Sequence, residues 1–127
     1  MELISSDFQE GSEIPKKFGY KHENDEPHVQ FESIPTGAKT LAIIMDDPDA
    51  MKAVGKVWVH WLTYHDVNDT TKIEGKTDFG EIGYGGPAPP DGRHTYIFKG
   101  YALDTILDLK EGYSKQDLED AMKGHII

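Results

Sequence analysis

"TLAIIMDDPD", Thr40 to Asp49, is the stretch on which the fold turns. Five consecutive apolar residues, Leu41 to Met45, are followed by two aspartates and then by Pro48. An apolar run this short, stopped by a proline, predicts a strand from Thr40 to about Asp46 rather than a helix. Apolar residues on both of its faces predict a central position, covered from both sides. Alternation places Leu41, Ile43, Met45 and Asp47 on one face. Asp47 therefore prolongs an apolar face, and a carboxylate there needs a partner, because an unpaired buried charge is costly.

Working outward, "KVWVHWLTYHD" predicts a second such strand from Lys56 to about His65, and "HTYIFKGYALD" a third from His94 to about Leu103. Weaker strand signals lie near Leu3-Ile4 and at Val29 to Phe31; "IPTGAK" between them and Thr40 reads as a turn. The stretch "VNDTTKIEGKTDFGE" reads as a polar connector. Only the end of the chain reads as helix, over residues 115–123. Ser114 is its N-cap, Leu118, Ala121 and Met122 recur at helical spacing, and Gly124 stops it. Buried strands with one late helix predict a mainly β domain, two antiparallel sheets packed face to face as a sandwich with a short C-terminal helix.

Composition narrows the function. The 127 residues suit one domain with a real core. Thirteen basic against 23 acidic residues leave a net charge of −10, which repels nucleic acid and anionic surfaces at long range and argues against a nucleic-acid partner. The chain has no cysteine, which removes disulfides, thiol nucleophiles and thiolate metal sites. The N-terminus has acidic residues where a signal peptide needs a basic and then an apolar region, and no apolar run approaches a membrane span; a cytoplasmic location without a transmembrane segment is the expectation.

Three polar clusters interrupt the apolar strands. Asp46, Asp47 and Asp49 form "DDPD", which reads equally as strand-ending turn chemistry. A calcium loop of the EF-hand kind fails, because its glycine is missing and position 12 counted from Asp47 is Trp58. In "VWVHWLTYH", strict alternation places Trp58, His60, Leu62 and Tyr64 on one face; His60 reads either as a hydrogen-bonded core histidine or as a site residue. The third cluster is "GYGGPAPPDG", Gly83 to Gly92, with the strand that follows it. Pro87, Pro89 and Pro90 stiffen this loop while its glycines let a ligand approach the main chain, leaving amides free to face an anion; a tight structural turn is the plainer alternative. His94, Tyr96 and Phe98 share one face of the strand beyond it. If these strands are neighbours, the polar groups converge on one small pocket with an aromatic wall.

"LAIIMDDPDA", "VWVHWL", "GKTDFGEIGYGGPAPPDGRHTYIFKGYALD" and "DLEDAMKGHII", in this order and spacing, resemble the phosphatidylethanolamine-binding protein family, or Raf kinase inhibitor-like proteins, in its bacterial and archaeal branch. The resemblance implies a two-sheet fold with a small pocket for phosphate, phosphorylethanolamine or a similar headgroup. It carries that ligand-binding role onto Asp47, Asp49, Trp58, His60, Gly86, His94 and Tyr96. Four departures stand out. Met51 replaces the proline of "DPDAP", which loosens that corner; Ala88 replaces a frequent cysteine; Thr95 replaces an arginine. The chain also ends at "GHII", where relatives continue into a final strand, and its connector after His65 is short. A single domain lacking that strand would expose a sheet edge, which a homodimer or a local adjustment of the fold would cover.

The function expected is a non-enzymatic binding protein for a phosphate-like anion or phospholipid headgroup, with a regulatory role. An inhibitor of serine proteases or kinases acting through protein contact is the alternative. A hydrolase using non-covalent acid–base chemistry is a third reading, since no nucleophile motif is present. No catalytic residue, metal site or cofactor is implied; the aspartates and histidines lack metal-ligand spacing.

Overall fold

The computed structural model describes residues 1–89 and 92–127. Its centre is the strand that the apolar run predicts, here β3 (Thr40–Asp47), every residue of which is buried. It lies between β4 (Trp58–Asp66) and β6 (Ile97–Leu103) in a four-stranded antiparallel sheet of order β5-β4-β3-β6. The edge strand β5 (Asp69–Glu74) comes from the stretch that reads as a connector, and a two-residue turn joins it to β4. Five of its six residues are polar, so it shows no apolar alternation. A second sheet pairs β1 (Glu2–Ser5) with β2 (Val29–Glu32).

Two apolar layers sandwich the large sheet. On one face Ile43, Met45 and Trp61 pack beneath Leu3, Val29 and Phe31 of the small sheet. On the other, Ala42, Ile44, Leu62, Tyr64 and Leu103 pack against Leu107, Tyr113, Leu118 and Met122. The last two belong to helix α2 (Lys115–Met122), capped as expected at Ser114, whose hydroxyl accepts from Asp117 N while Asp117 answers on the Ser114 amide. A fully buried side chain of this size contributes about 1.5–3 kcal/mol, so Leu118 and Met122 hold the helix down where its short length could not.

Three details differ from the sequence-based expectation. β6 enters the ladder at Ile97, three residues later than predicted, because the chain from His94 to Tyr96 spends its polar groups on the aspartate corner. A short helix, α1 (Ala50–Val54), follows "DDPD", ended by Gly55 at φ 78°. Met51, placed by the sequence at a loosened corner, stands 53% exposed in its first turn.

The third difference shapes the site. The β3–β4 register runs Ile44↔Leu62, Met45↔Trp61 and then Asp46↔Val59, so His60 is one residue too many on β4. Such a bulge breaks strict alternation and re-aims the side chains beyond it. Leu62 and Tyr64 stay on the helix side. Val59 joins them, whereas Trp58 and His60 turn toward the aromatic cluster on the opposite side. The single face predicted for Trp58, His60, Leu62 and Tyr64 is thus split in two.

Beyond α2 the tail returns to the sheet. Ile126 bridges Leu103, and Ile127 N donates to Ala102 O at 2.9 Å, covering the C-terminal end of the β6 edge.

Candidate functional site

The seven residues singled out from the sequence meet at one end of the large sheet. Asp47, at the end of β3, is 3% exposed and is the neighbour of Trp58 in the ladder. Its partner is His94: Nδ1–H donates to Asp47 Oδ2 at 2.5 Å, with both side chains 4% exposed. The other Asp47 oxygen accepts the Asp49 amide at 2.9 Å, the turn chemistry of an Asp-Pro-Asp corner. Asp49 in turn accepts from Thr95 N at 2.7 Å. Both aspartates therefore tie the corner after β3 to the segment before β6.

His60, at the bulge, is 2% exposed. Its Nδ1 meets the Gly85 carbonyl at 2.6 Å, and the Gly85 amide returns a bond to the His60 carbonyl at 2.8 Å. A carbonyl can only accept, so Nδ1 carries the proton and Nε2 is the lone-pair nitrogen. Burial lowers the pKa of His60, and the Gly85 carbonyl and Asp47 carboxylate recover only part of that. Burial thus favours the neutral ring.

Aromatic rings surround it. Tyr96 stands edge-on to His60 at 5.2 Å between centroids, with His94 6.5 Å beyond. Phe79 meets His60 at 5.4 Å and Trp58 at 5.6 Å, and Tyr20 stacks flat on Phe79 at 3.8 Å. The Tyr20 hydroxyl is held by Glu81. Burial pushes the Tyr96 hydroxyl well above the usual tyrosine range, Asp47 and Asp49 add to this, and the Ala88 main chain opposes it. Among the described residues three buried side-chain polar atoms lack a hydrogen-bond partner, and two of them, Trp58 Nε1 and Tyr96 Oη, belong to this cluster.

Gly86 enters differently from the way its motif suggests. A Cβ there would lie 1.7 Å from the Phe18 carbonyl oxygen, so the close approach that demands glycine is to the chain's own backbone. Its amide is already bound by Asn24 Oδ1 at 2.8 Å, and the Gly85 amide by His60; neither is free for an anion. Gly85 likewise packs against Phe79, 2.6 Å from where a Cβ would sit. Pro90, one of the three prolines expected to stiffen this loop, lies outside the described residues, as does Asp91.

His94 and Tyr96 line a groove of about 1230 Å³ that continues past Pro87 and Phe98 beneath Leu3 and Phe8 of the N-terminal segment. Asp47, Asp49, Trp58, His60 and Gly86 stand outside its wall. No group of three or more metal-ligating side chains occurs among the described residues, and no described helix is long and apolar enough to cross a membrane.

Sequence reasoning missed Phe79, Tyr20 and Asn24. Phe79 is one aromatic in a polar stretch, "KTDFGE", and that isolation was the available signal. Tyr20 and Asn24 sit beyond the 3₁₀ turn at Lys16–Phe18, more than 50 residues from the loop they support, and nothing local marks them.

A family model described as phosphatidylethanolamine-binding protein matches residues 4–127. The UPF0098 protein of Methanothermobacter thermautotrophicus is 39% identical, over all of this chain and 92% of its own length; that of Chlamydia trachomatis is 38% identical with the same coverage. A crystal structure of a putative phosphatidylethanolamine-binding protein homologue from Chlamydia trachomatis superposes with a TM-score of 0.87 at 37% identity, covering 98% of this chain and 89% of that one. Escherichia coli YbcL, described as a member of the mammalian family, shares the fold at a TM-score of 0.88 and 24% identity, over 99% of this chain and 91% of its own. With a family model spanning nearly the whole sequence and relatives this similar over about nine-tenths of their length, the chain belongs to the phosphatidylethanolamine-binding protein family.

Proposed function

We propose that the cluster of Asp47, Trp58, His60, His94 and Tyr96 binds a phosphate-class anion, free or carried on a headgroup such as phosphorylethanolamine. The observation that carries this reading is the pair of buried donors without acceptors, Trp58 Nε1–H and Tyr96 Oη–H. Leaving such a group unsatisfied costs about 1–3 kcal/mol, and a partner arriving from outside would recover that cost. The missing partner is an acceptor, and phosphate oxygens are strong ones. Asp47 fixes His94, and Gly85 fixes His60, so both rings are oriented before any ligand enters.

The neutral state of His60 sets a further condition. Its Nε2 is a lone pair, which repels a dianion unless a proton lies between them. Whether that proton sits on nitrogen or on a phosphate oxygen, the complex holds one more proton than neutral His60 and the separate dianion, so proton uptake is expected where phosphate is the dianion. Binding is therefore tighter at low pH. Calorimetric titration with inorganic phosphate and with phosphorylethanolamine from pH 5.5 to 8.5 tests this, in paired buffers of different ionisation heat. Affinity that falls as pH rises, with net proton uptake, supports the reading; no binding, or affinity flat across the range, overturns it. Tighter binding of phosphorylethanolamine than of phosphate would point to the headgroup.

A further inference from the structure

Asn24 is the structure's link between the N-terminal segment and the glycine loop. It adopts φ 53°, a left-handed conformation that few residues other than glycine and asparagine take readily. Its side chain spans two main-chain groups on either side of Gly85: Oδ1 accepts from Gly86 N at 2.8 Å, and Nδ2 donates to Tyr84 O at 3.3 Å. The amide orientation follows from the partners, since an N–H only donates and a carbonyl only accepts. Asn24 is itself held by its own amide, which donates to Gly19 O at 3.0 Å. The same turn grips the loop twice more: Tyr84 Oη donates to Phe18 O at 2.8 Å and Tyr20 N to Pro87 O at 3.0 Å. Between the two groups that Asn24 clasps lies the Gly85 carbonyl, the acceptor for His60 Nδ1.

We propose that Asn24 is a positioning residue for His60: by clasping Tyr84 and Gly86 it aims the Gly85 carbonyl and so selects the tautomer of the buried imidazole. The consequence reaches across three links. Without the clasp the 84–86 stretch loses two side-chain bonds, the Gly85 carbonyl is held less firmly by the bonds that remain, and the preference of the His60 proton for Nδ1 weakens. A ring protonated at Nε2 presents a donor where the native ring presents a lone pair, and the coupling of ligand binding to proton uptake disappears. The binding half of this inference rests on the anion-binding reading; the tautomer half does not.

The test uses the full chain and two variants. Asn24→Gly keeps the left-handed backbone accessible and removes both side-chain bonds; Asn24→Asp keeps the shape and the acceptor for Gly86 N but loses the donor to Tyr84 O. Imidazole ¹⁵N shifts of His60 in ligand-free protein at pH 7.5 report the tautomer directly. The native protein is expected to show one tautomer, with Nδ1 protonated. Asn24→Gly is expected to show a mixture, with Asn24→Asp intermediate. The fall of phosphate affinity with rising pH, expected in the native protein, is expected to be lost or flattened in Asn24→Gly, because a ring protonated at Nε2 donates to phosphate without taking up a proton. If both folded variants, or Asn24→Asp alone should the glycine variant not fold, keep the single native tautomer, Asn24 is merely structural and the proposal fails. If the tautomer shifts but phosphate binds no form of the protein, the positioning role stands and the anion-binding reading fails.

Discussion

Replacing Tyr96 with phenylalanine should make the ligand-free protein more stable and the ligand weaker, and the opposed signs are the test. The hydroxyl is buried and has no hydrogen-bond partner, while the ring packs against His60 and the cluster of Ile43, Met45 and Trp61. Phenylalanine keeps the ring and removes only the unsatisfied group. From the 1–3 kcal/mol cost of such a group, a gain of about 1 kcal/mol is expected. For a chain of this length that raises the midpoint of thermal unfolding by about 3–5 °C. The affinity change runs the other way. A hydrogen bond to a charged ligand contributes about 1.5–3 kcal/mol, so phosphate should bind about 10–150-fold more weakly. The two effects cross in one experiment. At a phosphate concentration near 100 times its dissociation constant the native protein gains about 2.7 kcal/mol. A variant weakened about 30-fold gains about 0.9 kcal/mol under the same conditions. Tyr96→Phe should therefore melt above the native protein without phosphate and below it with phosphate, by scanning calorimetry. A variant that is less stable without ligand and equally stabilised by phosphate would refute the reasoning, because its hydroxyl would then belong to the core and not to a site.

Removing one member of the buried Asp47–His94 pair strands the other, so His94→Ala should lower stability by about 3–5 kcal/mol in urea unfolding, and adding Asp47→Asn should restore part of the loss. A non-additive double-mutant cycle is the expected result, and additivity would deny the pair. Gly86→Ala should cost about 3 kcal/mol, the top of the overpacking range, because its Cβ meets backbone; Gly100→Ala should cost less, because its nearest neighbour is the edge of the Phe31 ring, which can turn. For His60, burial lowers the folded pKa below the unfolded value of about 6.5, so the unfolded chain binds more protons between the two. Its contribution to stability is present above about pH 6.5 and is lost as pH falls toward the folded pKa, and His60→Gln should flatten that part of the unfolding midpoint's pH profile.

What the sequence made legible was whatever has a local cause. The apolar run at Thr40 to Met45 made β3 central, and alternation put Asp47 on the face that carries Ile43 and Met45. That placement required a partner, and His94 is one. Alternation also grouped His94, Tyr96 and Phe98 correctly although the ladder begins only at Ile97, because extended chain keeps its twofold period outside a sheet. Ser114 was readable because capping needs three residues of context. The split of β4 was not readable: a bulge is a mismatch between two strands, and β4 alone gives no sign that β3 counts one fewer residue. β5, built of Asp, Thr and Lys at a sheet edge, has no apolar face to betray it. The glycines of the loop were visible, but not what approaches them; the Phe18 carbonyl comes from 68 residues away in sequence, which no local pattern encodes.

The bulge also bears on how such a site can arise or vanish. His60 occupies no rung of the β3–β4 ladder, since Trp61 and Val59 on either side of it face Met45 and Asp46, which are themselves consecutive. Excising His60 would leave every paired rung as it stands and close the strand into a regular one. The change would erase the imidazole and the exchange of bonds with Gly85, and nothing else in the sheet's pairing. In a gene, that is a single in-frame codon. The residue at the heart of the cluster is thus the one the scaffold could gain or lose without renegotiating its register, and a relative with a one-residue gap at this position should be read as having kept the fold and lost the buried imidazole.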